Sequence, residues 1–262
     1  MMSRAEILKD VVADLRIASS FVTIVPVAAS KPAADGSIAR ATWALPVAGL
    51  LVGLFGAAVF ALASKLGLAP SMAALLALAA TTLITGALHE DGLADTADGL
   101  GGGRTRERKL EIMRDSRIGS YGTCALILSF GLRWSALAGI ANPWAVMLAL
   151  CAAHAAARAG LPAFMSLVPP ARRDGLASRA GAPPGRSVAI AFAVGTLTLA
   201  LALGPAKALV GLVLLSLAGL GLARLAIRQI GGQTGDILGA FEQVGEILIL
   251  LVAAAFLQTV GG

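Results

Sequence analysis

Charged, aromatic and cysteine residues are all scarce in this chain of 262 residues. Charged residues make up 14% and aromatic residues 5%, whereas ordinary soluble domains carry about 25% charged residues. No basic patch interleaved with aromatics occurs, so we expect no nucleic acid partner. The two cysteines, Cys124 and Cys151, lie in apolar runs, and their spacing predicts neither a disulfide framework nor a metal site.

Apolar residues are abundant where charged residues are few. They form 57% of the chain, and the mean hydropathy is +0.83. Because a helix needs roughly 20 apolar residues to cross a bilayer, the long runs predict an all-α, polytopic membrane bundle that forms a single domain over residues 1–262. The seven predicted spans are Trp43–Leu66, Pro70–Leu88, Gly119–Ile140, Trp144–Val168, Ser187–Leu203, Ala206–Ile227 and Phe241–Val260.

An amphipathic helix is predicted ahead of the spans, over Met1–Leu15. Apolar residues recur there at helical spacing among charged ones. The pattern fits a helix on the membrane surface and equally a helix packed against the bundle.

The basic residues predict the orientation. With the N-terminus inside, only Lys65 and Lys207 of the 21 lysines and arginines fall in outer segments, while Arg133 and Arg158 lie within spans. Cytoplasmic loops carry an excess of lysine and arginine. We therefore expect a multi-pass protein of the bacterial cytoplasmic membrane whose active face is cytoplasmic.

The segment from His89 to Arg117 separates its charges by sign. Carboxylates come first and a basic run follows. On a helix, Asp91, Asp95 and Asp98 fall within about 60° of one another, and such a stripe needs a cation among its members. Hard oxygen ligands suit Mg²⁺ or Mn²⁺, which commonly also bind substrate phosphates. The alternative is a solvated helix end capped by glycines.

Other polar residues accompany this stripe. Asp115 and Arg117 form either a helix cap or a further part of the site, with the arginine on phosphate oxygens. The loop 231–236, with Asp236, is expected on the same face and in reach of the stripe. Glu242 and Glu246 need cationic partners near the membrane; Arg133 and Arg158 are candidates, unless those arginines reach lipid headgroups instead.

The stretch His89–Gly99 (HEDGLADTADG), continued by Arg106–Gly119 (RERKLEIMRDSRIG), closely resembles the signature of the cobalamin synthase family, adenosylcobinamide-GDP ribazoletransferase. Phe21–Pro26 (FVTIVP) and Thr234–Ala240 (TGDILGA) resemble further parts of that family. The resemblance implies a Mg²⁺-dependent membrane enzyme that joins α-ribazole, or its 5′-phosphate, to adenosylcobinamide-GDP and releases GMP. Membrane lipid would surround it, and a homo-oligomer is compatible with the sequence.

Site residues follow from the stripe and the resemblance together. Asp91, Asp95 and Asp98 are expected to hold Mg²⁺ and to take part in catalysis, with His89 either a general base or a structural residue. The expected substrate-binding residues are Arg104, Asp115, Arg117, Asp236 and Glu246. The rival interpretations are another metal-dependent membrane transferase, of the phosphatidyltransferase or prenyltransferase kind, and a transporter.

Overall fold

Helices make up the fold throughout residues 3–26, 36–172 and 180–257, which are the parts described by the computed structural model. Outside the helices, these parts hold one isolated bridge, between Pro170 and Gln233. The helices are α1 (Arg4–Val22), α2 (Ser37–Ala41, continued by a 3₁₀ turn at Thr42–Ala44), α3 (Leu45–Lys65), α4 (Pro70–Ile84), α5 (Leu88–Gly102), α6 (Arg106–Ile112), α7 (Ser120–Ile140), α8 (Pro143–Leu167), α9 (Gly185–Leu203), α10 (Pro205–Ile230) and α11 (Gly235–Leu257).

Six of these helices are long and apolar enough to cross a membrane: α3 with its leading turns, α7, α8, α9, α10 and α11. They confirm six of the seven predicted spans to within a few residues. The final predicted span begins earlier than expected, at Gly235, and its predicted end at Val260 lies outside the described residues.

The second predicted span, Pro70–Leu88, is wrong as a continuous helix. α4 has 15 residues, which is about 22 Å of helix and short for a bilayer. Gly86 and Ala87 both have positive φ, a backbone state that ends a helix. The chain bends by 88° there and continues as α5. A pair of helices bent in this way is either one broken span or a re-entrant loop.

The N-terminal helix packs against the bundle. It begins with a capping box between Ser3 and Glu6 and runs to Val22, seven residues beyond its predicted end at Leu15. Its Asp14 accepts hydrogen bonds from Arg40 at 3.1 Å and from the Trp43 indole at 2.9 Å. Of the two placements that the amphipathic pattern allowed, the structure has the packed one.

Small residues let membrane spans approach closely. The most extensive helix pairing among the described residues is between α3 and α8, and alanine and glycine fill many of their buried positions. At Gly53 an added Cβ would lie 2.7 Å from the carbonyl oxygen of Leu150 and 3.0 Å from the Cα of Cys151. The two backbones are therefore in direct contact at this glycine.

Replacing Gly53 with alanine should destabilise the bundle. The new methyl group meets backbone and not a flexible side chain, so α3 must move away from α8, at a cost of about 1–3 kcal/mol. Gly131→Ala is the matched control, because that glycine lies inside α7 with no atom near its Cβ position; there alanine should stabilise the helix by about 0.5–1 kcal/mol. Thermal unfolding in detergent compares the two, and equal shifts would contradict the close contact.

Candidate active site

Helix α5 carries the predicted carboxylate stripe and lies between α7 and α11. Its first turn is deep in the bundle, where Glu90 meets Arg133 of α7. Its last turn is beside the start of α7, where Asp98 meets Gly119 and Gly122. Along this path Asp91 is exposed, Asp95 is half-buried and Asp98 is buried, so the stripe runs from open surface into the protein.

Asp98 accepts two backbone hydrogen bonds at the start of α7. Its oxygens lie 2.7 Å from the Gly119 nitrogen and 2.9 Å from the Gly122 nitrogen. A carboxylate at a helix N-terminus satisfies amide groups that have no partner within the helix. The fit also needs glycine, because a Cβ at residue 119 would lie 2.5 Å from an Asp98 oxygen. Asp98 therefore fixes α5 to α7, whatever further part it takes.

The two predicted clusters meet, as expected from the sequence. α5 and α11 cross at Gly92 and Gly239, where an added Cβ at residue 92 would lie 2.9 Å from the Asp236 carbonyl oxygen. The crossing brings Asp236 to the carboxylate stripe. Asp236 accepts a hydrogen bond from the Thr234 hydroxyl at 3.0 Å, and its carboxylate lies 3.5 Å from Arg172.

Negative charge dominates this crossing. Asp91, Asp98 and Asp236 are close enough to Asp95 for their negative charges to repel its own. Arg172 forms an ion pair with Asp236, and among the described residues it forms none with the other three aspartates. Carboxylates grouped in this way favour a bound cation, and an all-oxygen donor set suits Mg²⁺. Their oxygens do not converge: among the described residues, only His154, Glu242 and Glu246 bring three ligand atoms within 4.8 Å of one another.

That second group belongs to an ion-pair network inside the bundle. Glu246 accepts hydrogen bonds from Arg133 at 3.1 Å and from Arg158 at 2.9 Å, and it also contacts His154. Arg158 pairs with Glu242 as well. The prediction that Arg133 and Arg158 are the partners of the two glutamates is confirmed, and arginines already occupy the space that a metal would need.

Glu90 extends the network to α5. One of its oxygens lies 3.2 Å from both terminal nitrogens of Arg133, and the Thr82 hydroxyl donates to the same oxygen at 3.3 Å. The network thus joins α5, α7, α8 and α11. Arg133 and Arg158 are each 1% exposed, so both depend on these carboxylates for their polar contacts.

His89 faces the network and not the surface. It is buried, with Nδ1 3.5 Å from Arg158 and 3.8 Å from Glu242. Glu246, predicted to bind substrate, is buried in the same network. A direct catalytic or substrate-binding part for either residue remains a prediction.

The remaining predicted residues lie at the rim of the site. Arg104 is exposed just after the end of α5. Arg117 is 87% exposed along its side chain and binds both oxygens of Asp115. Hydrogen bonds from Arg117 lower the pKa of Asp115 to about 2, so this carboxylate is paired with an arginine here. That Arg104, Asp115 and Arg117 contact the substrate stays a prediction.

The contacts that Arg106 makes at this end of the bundle were not predicted. Arg106 donates to the Ile230 carbonyl at 2.9 Å and to the Ala171 carbonyl at 2.8 Å. The segment after α8 also pairs with the loop before α11 through the Pro170–Gln233 bridge. The sequence assigned neither Arg106 nor Arg172 a structural contact, because nothing in the residues near either arginine indicates which distant backbone it meets.

The family follows from comparison with known proteins. Residues 14–254 match the family described as cobalamin-5-phosphate synthase. The chain belongs to this family. It is 82% identical over 256 residues to a protein of Bradyrhizobium diazoefficiens named adenosylcobinamide-GDP ribazoletransferase, and the alignment covers 98% of each chain. Relatives of the same name occur in Mesorhizobium japonicum (54% identity, 85% of each chain) and Azorhizobium caulinodans (45% identity, 95% of this chain and 97% of the relative).

No solved structure matches the chain. The family match decides against the two rival interpretations, a lipid-directed or prenyl-directed transferase and a transporter.

Arg158→Met tests the buried network. Methionine fills similar space but removes the arginine paired with Glu242 and one of the two arginines paired with Glu246. Breaking a buried pair in this way typically costs about 3–5 kcal/mol. We expect a large drop in the thermal unfolding temperature of the detergent-solubilised protein. Arg224→Met on α10 is the control, because Arg224 is exposed. A drop no larger than the control's would mean that the network does not stabilise the bundle.

Proposed function

We propose that this chain is an adenosylcobinamide-GDP ribazoletransferase, which joins α-ribazole or α-ribazole 5′-phosphate to adenosylcobinamide-GDP. The observation that carries the proposal is the 82% identity, over nearly the full length of both chains, to the Bradyrhizobium diazoefficiens protein of that name. The carboxylate helix α5, set against Asp236 and Arg172, supplies charges of the kinds that a diphosphate substrate needs.

The transfer exchanges a phosphoanhydride bond for a phosphate ester bond. A ribazole hydroxyl oxygen forms a bond to the phosphorus that stays on the cobinamide, and the bond between that phosphorus and the bridging oxygen breaks. GMP leaves with the electron pair of that bond, and the hydroxyl proton passes to a base. The protein must therefore hold a diphosphate, accept one proton and orient a hydroxyl.

Mg²⁺ is the proposed cofactor, and the donor set fits it. Asp91 and Asp95 provide carboxylates at the open end of the stripe, and Asp236 adds a third from α11. Asp98 keeps lone pairs beyond its two amide bonds and completes the predicted set. When bound, the ion would neutralise charge on the diphosphate.

Exposure distinguishes the candidate proton acceptors. Asp91 is open to an incoming hydroxyl, whereas His89 is buried against Arg158. We therefore assign the proton to a carboxylate at the open end of the stripe that is not bound to the metal, and a positioning part to His89, beside Glu242. Arg104, Asp115 and Arg117 stand at the rim as contacts for the outer parts of the substrates, and Glu246 supports the site through the network.

Membrane lipid is the proposed neighbour of the outer helices. A cavity of about 570 Å³ lies between α8, α9 and α10, and apolar side chains such as Phe192, Leu212 and Leu220 line it. The exposed arginine Arg224 is on the same lining. An acyl chain fits such a cavity, with a phosphate headgroup near Arg224.

Turnover by the purified protein tests the proposal, and Asp95→Asn tests the metal site. Wild type should release GMP from adenosylcobinamide-GDP and α-ribazole only when Mg²⁺ is present. Asp95→Asn keeps the shape of the side chain but removes one charge, so GMP release should fall by several orders of magnitude and excess Mg²⁺ should restore little.

Glu111→Gln is the matched control for Asp95→Asn, because Glu111 is an exposed carboxylate on the neighbouring helix α6. It should turn over as wild type does. Near-normal turnover by Asp95→Asn would leave the carboxylate stripe as a structural feature, and absence of turnover by wild type would refute the proposed reaction.

The proposed location is the bacterial cytoplasmic membrane, with the site facing the cytoplasm. In a chain whose Cys124 and Cys151 are replaced by alanine, a cysteine at Thr105 should not react with a membrane-impermeant thiol reagent in intact cells. Thr105 is exposed at the start of α6, so it should react once the cells are opened. A cysteine at Lys65, exposed at the other end of the bundle, should react without opening; the reverse pattern would invert the orientation.

A further inference from the structure

The described start of the loop after α8, residues 168–172, is hydrogen-bonded to the loop before α11 and to Arg106. The Ala171 amide donates to the Gln233 carbonyl at 2.8 Å, and the Gln233 amide donates to the Pro169 carbonyl at 2.8 Å. The Gln233 side chain donates to the Val168 carbonyl at 2.8 Å, and Arg106 donates to the Ala171 carbonyl. The backbone just before Arg172 is thus fixed from both sides.

The Arg172 guanidinium is held there without enough partners. Its side chain is 18% exposed, and its one recorded contact is with Asp236 at 3.5 Å, which is long for a hydrogen bond. Its Nε and Nη1 atoms are buried and have no hydrogen-bond partner among the described residues. Leaving buried donors unsatisfied raises the free energy of the folded protein. A ligand with acceptor oxygens would supply the missing hydrogen bonds to Arg172.

We propose that Arg172 binds the diphosphate of the nucleotide-bearing substrate, beside Asp236. Guanidinium groups recognise phosphate oxygens through several donors at fixed angles. α5 crosses α11 beside Asp236, the carboxylates of α5 act on Asp236 as like charges, and Arg172 contacts Asp236 from the loop after α8. Anionic groups and a cationic group thus lie side by side. This proposal rests on the proposed function, which supplies the diphosphate.

The rim arginine Arg117 is less suited to the same task. Three of its hydrogen bonds already go to Asp115, and 87% of its side chain is exposed. The guanidinium of an exposed arginine that is already paired has its donors satisfied by that partner and by water, so it gains little free energy from a further ligand. Arg172 is mostly buried, and two of its nitrogens have no hydrogen-bond partner among the described residues, so ligand binding changes its contacts more.

The test compares Arg172→Lys with wild type in two measurements. The first is equilibrium binding of GDP alone to the detergent-solubilised protein. The second is the KM for adenosylcobinamide-GDP, measured with α-ribazole and again with α-ribazole 5′-phosphate. Lysine keeps a charge for Asp236 but loses the planar set of donors, so GDP binding should weaken about ten- to a hundredfold. The KM should rise by a similar factor with either acceptor.

Two further variants control the comparison. Arg228→Ala removes an exposed arginine from the last turn of α10 and should leave both measurements unchanged. Arg172→Ala should weaken GDP binding more than lysine does, and unfolding temperatures identify any variant that has lost its fold. If Arg172→Ala does not fold, the lysine variant still decides the matter.

Three results would overturn the proposal. Wild-type behaviour of Arg172→Lys would leave Arg172 as a partner of Asp236 only. A loss confined to reactions with α-ribazole 5′-phosphate would assign the arginine to the acceptor's phosphate. A changed Mg²⁺ requirement with unchanged GDP binding would assign it to the carboxylate site. If instead wild type binds GDP but does not turn over, the proposed function fails while the GDP comparison still tests Arg172.

Discussion

Buried charge is the constraint on which the rest of this structure depends. Two arginines and three glutamates lie almost without water among apolar helices: Arg133, Arg158, Glu90, Glu242 and Glu246. Removing a charge from water is expensive unless an opposite charge and hydrogen bonds replace the water. Each of these groups finds its partners on other helices, so a displaced helix would leave a charge unpaired. The network thereby permits one arrangement of α5, α7, α8 and α11 and penalises others.

The position of the aspartate stripe follows from that arrangement. α5 does not continue α4 in a straight line, since the chain bends by 88° between them. The position of α5 therefore depends on its contacts with other helices and not on α4. Glu90 attaches its first turn to Arg133, Gly92 allows α11 to cross closely, and Asp98 attaches its last turn to the amides of α7. Between these points Asp91 and Asp95 are left free to meet a ligand.

The parts of this fold that depend on composition along the chain were predictable from sequence. Apolar runs marked six spans, and charge segregation marked His89–Arg117 as the unusual segment. The bend at Gly86 was missed because the apolar run continues to Leu88, so hydropathy does not change where the helix ends. Asp98 shares a stripe with its neighbours, and only the approach of α7 shows that its oxygens accept amide hydrogens. Arg172 looked like any basic loop residue until Gln233 and Arg106 were seen to fix the backbone beside it.

The site is assembled from segments that are distant in the sequence. α5 supplies the aspartates, the first turn of α11 supplies Asp236, and the loop after α8 supplies Arg172. None of these segments is held in place by its own neighbours in the chain: the first depends on the buried ion pairs, and the other two depend on each other through the Pro170–Gln233 bridge and on Arg106 from α6. The membrane-embedded helices therefore shape the candidate site as well as anchoring the protein, because the geometry at the surface is set by contacts made inside the bundle.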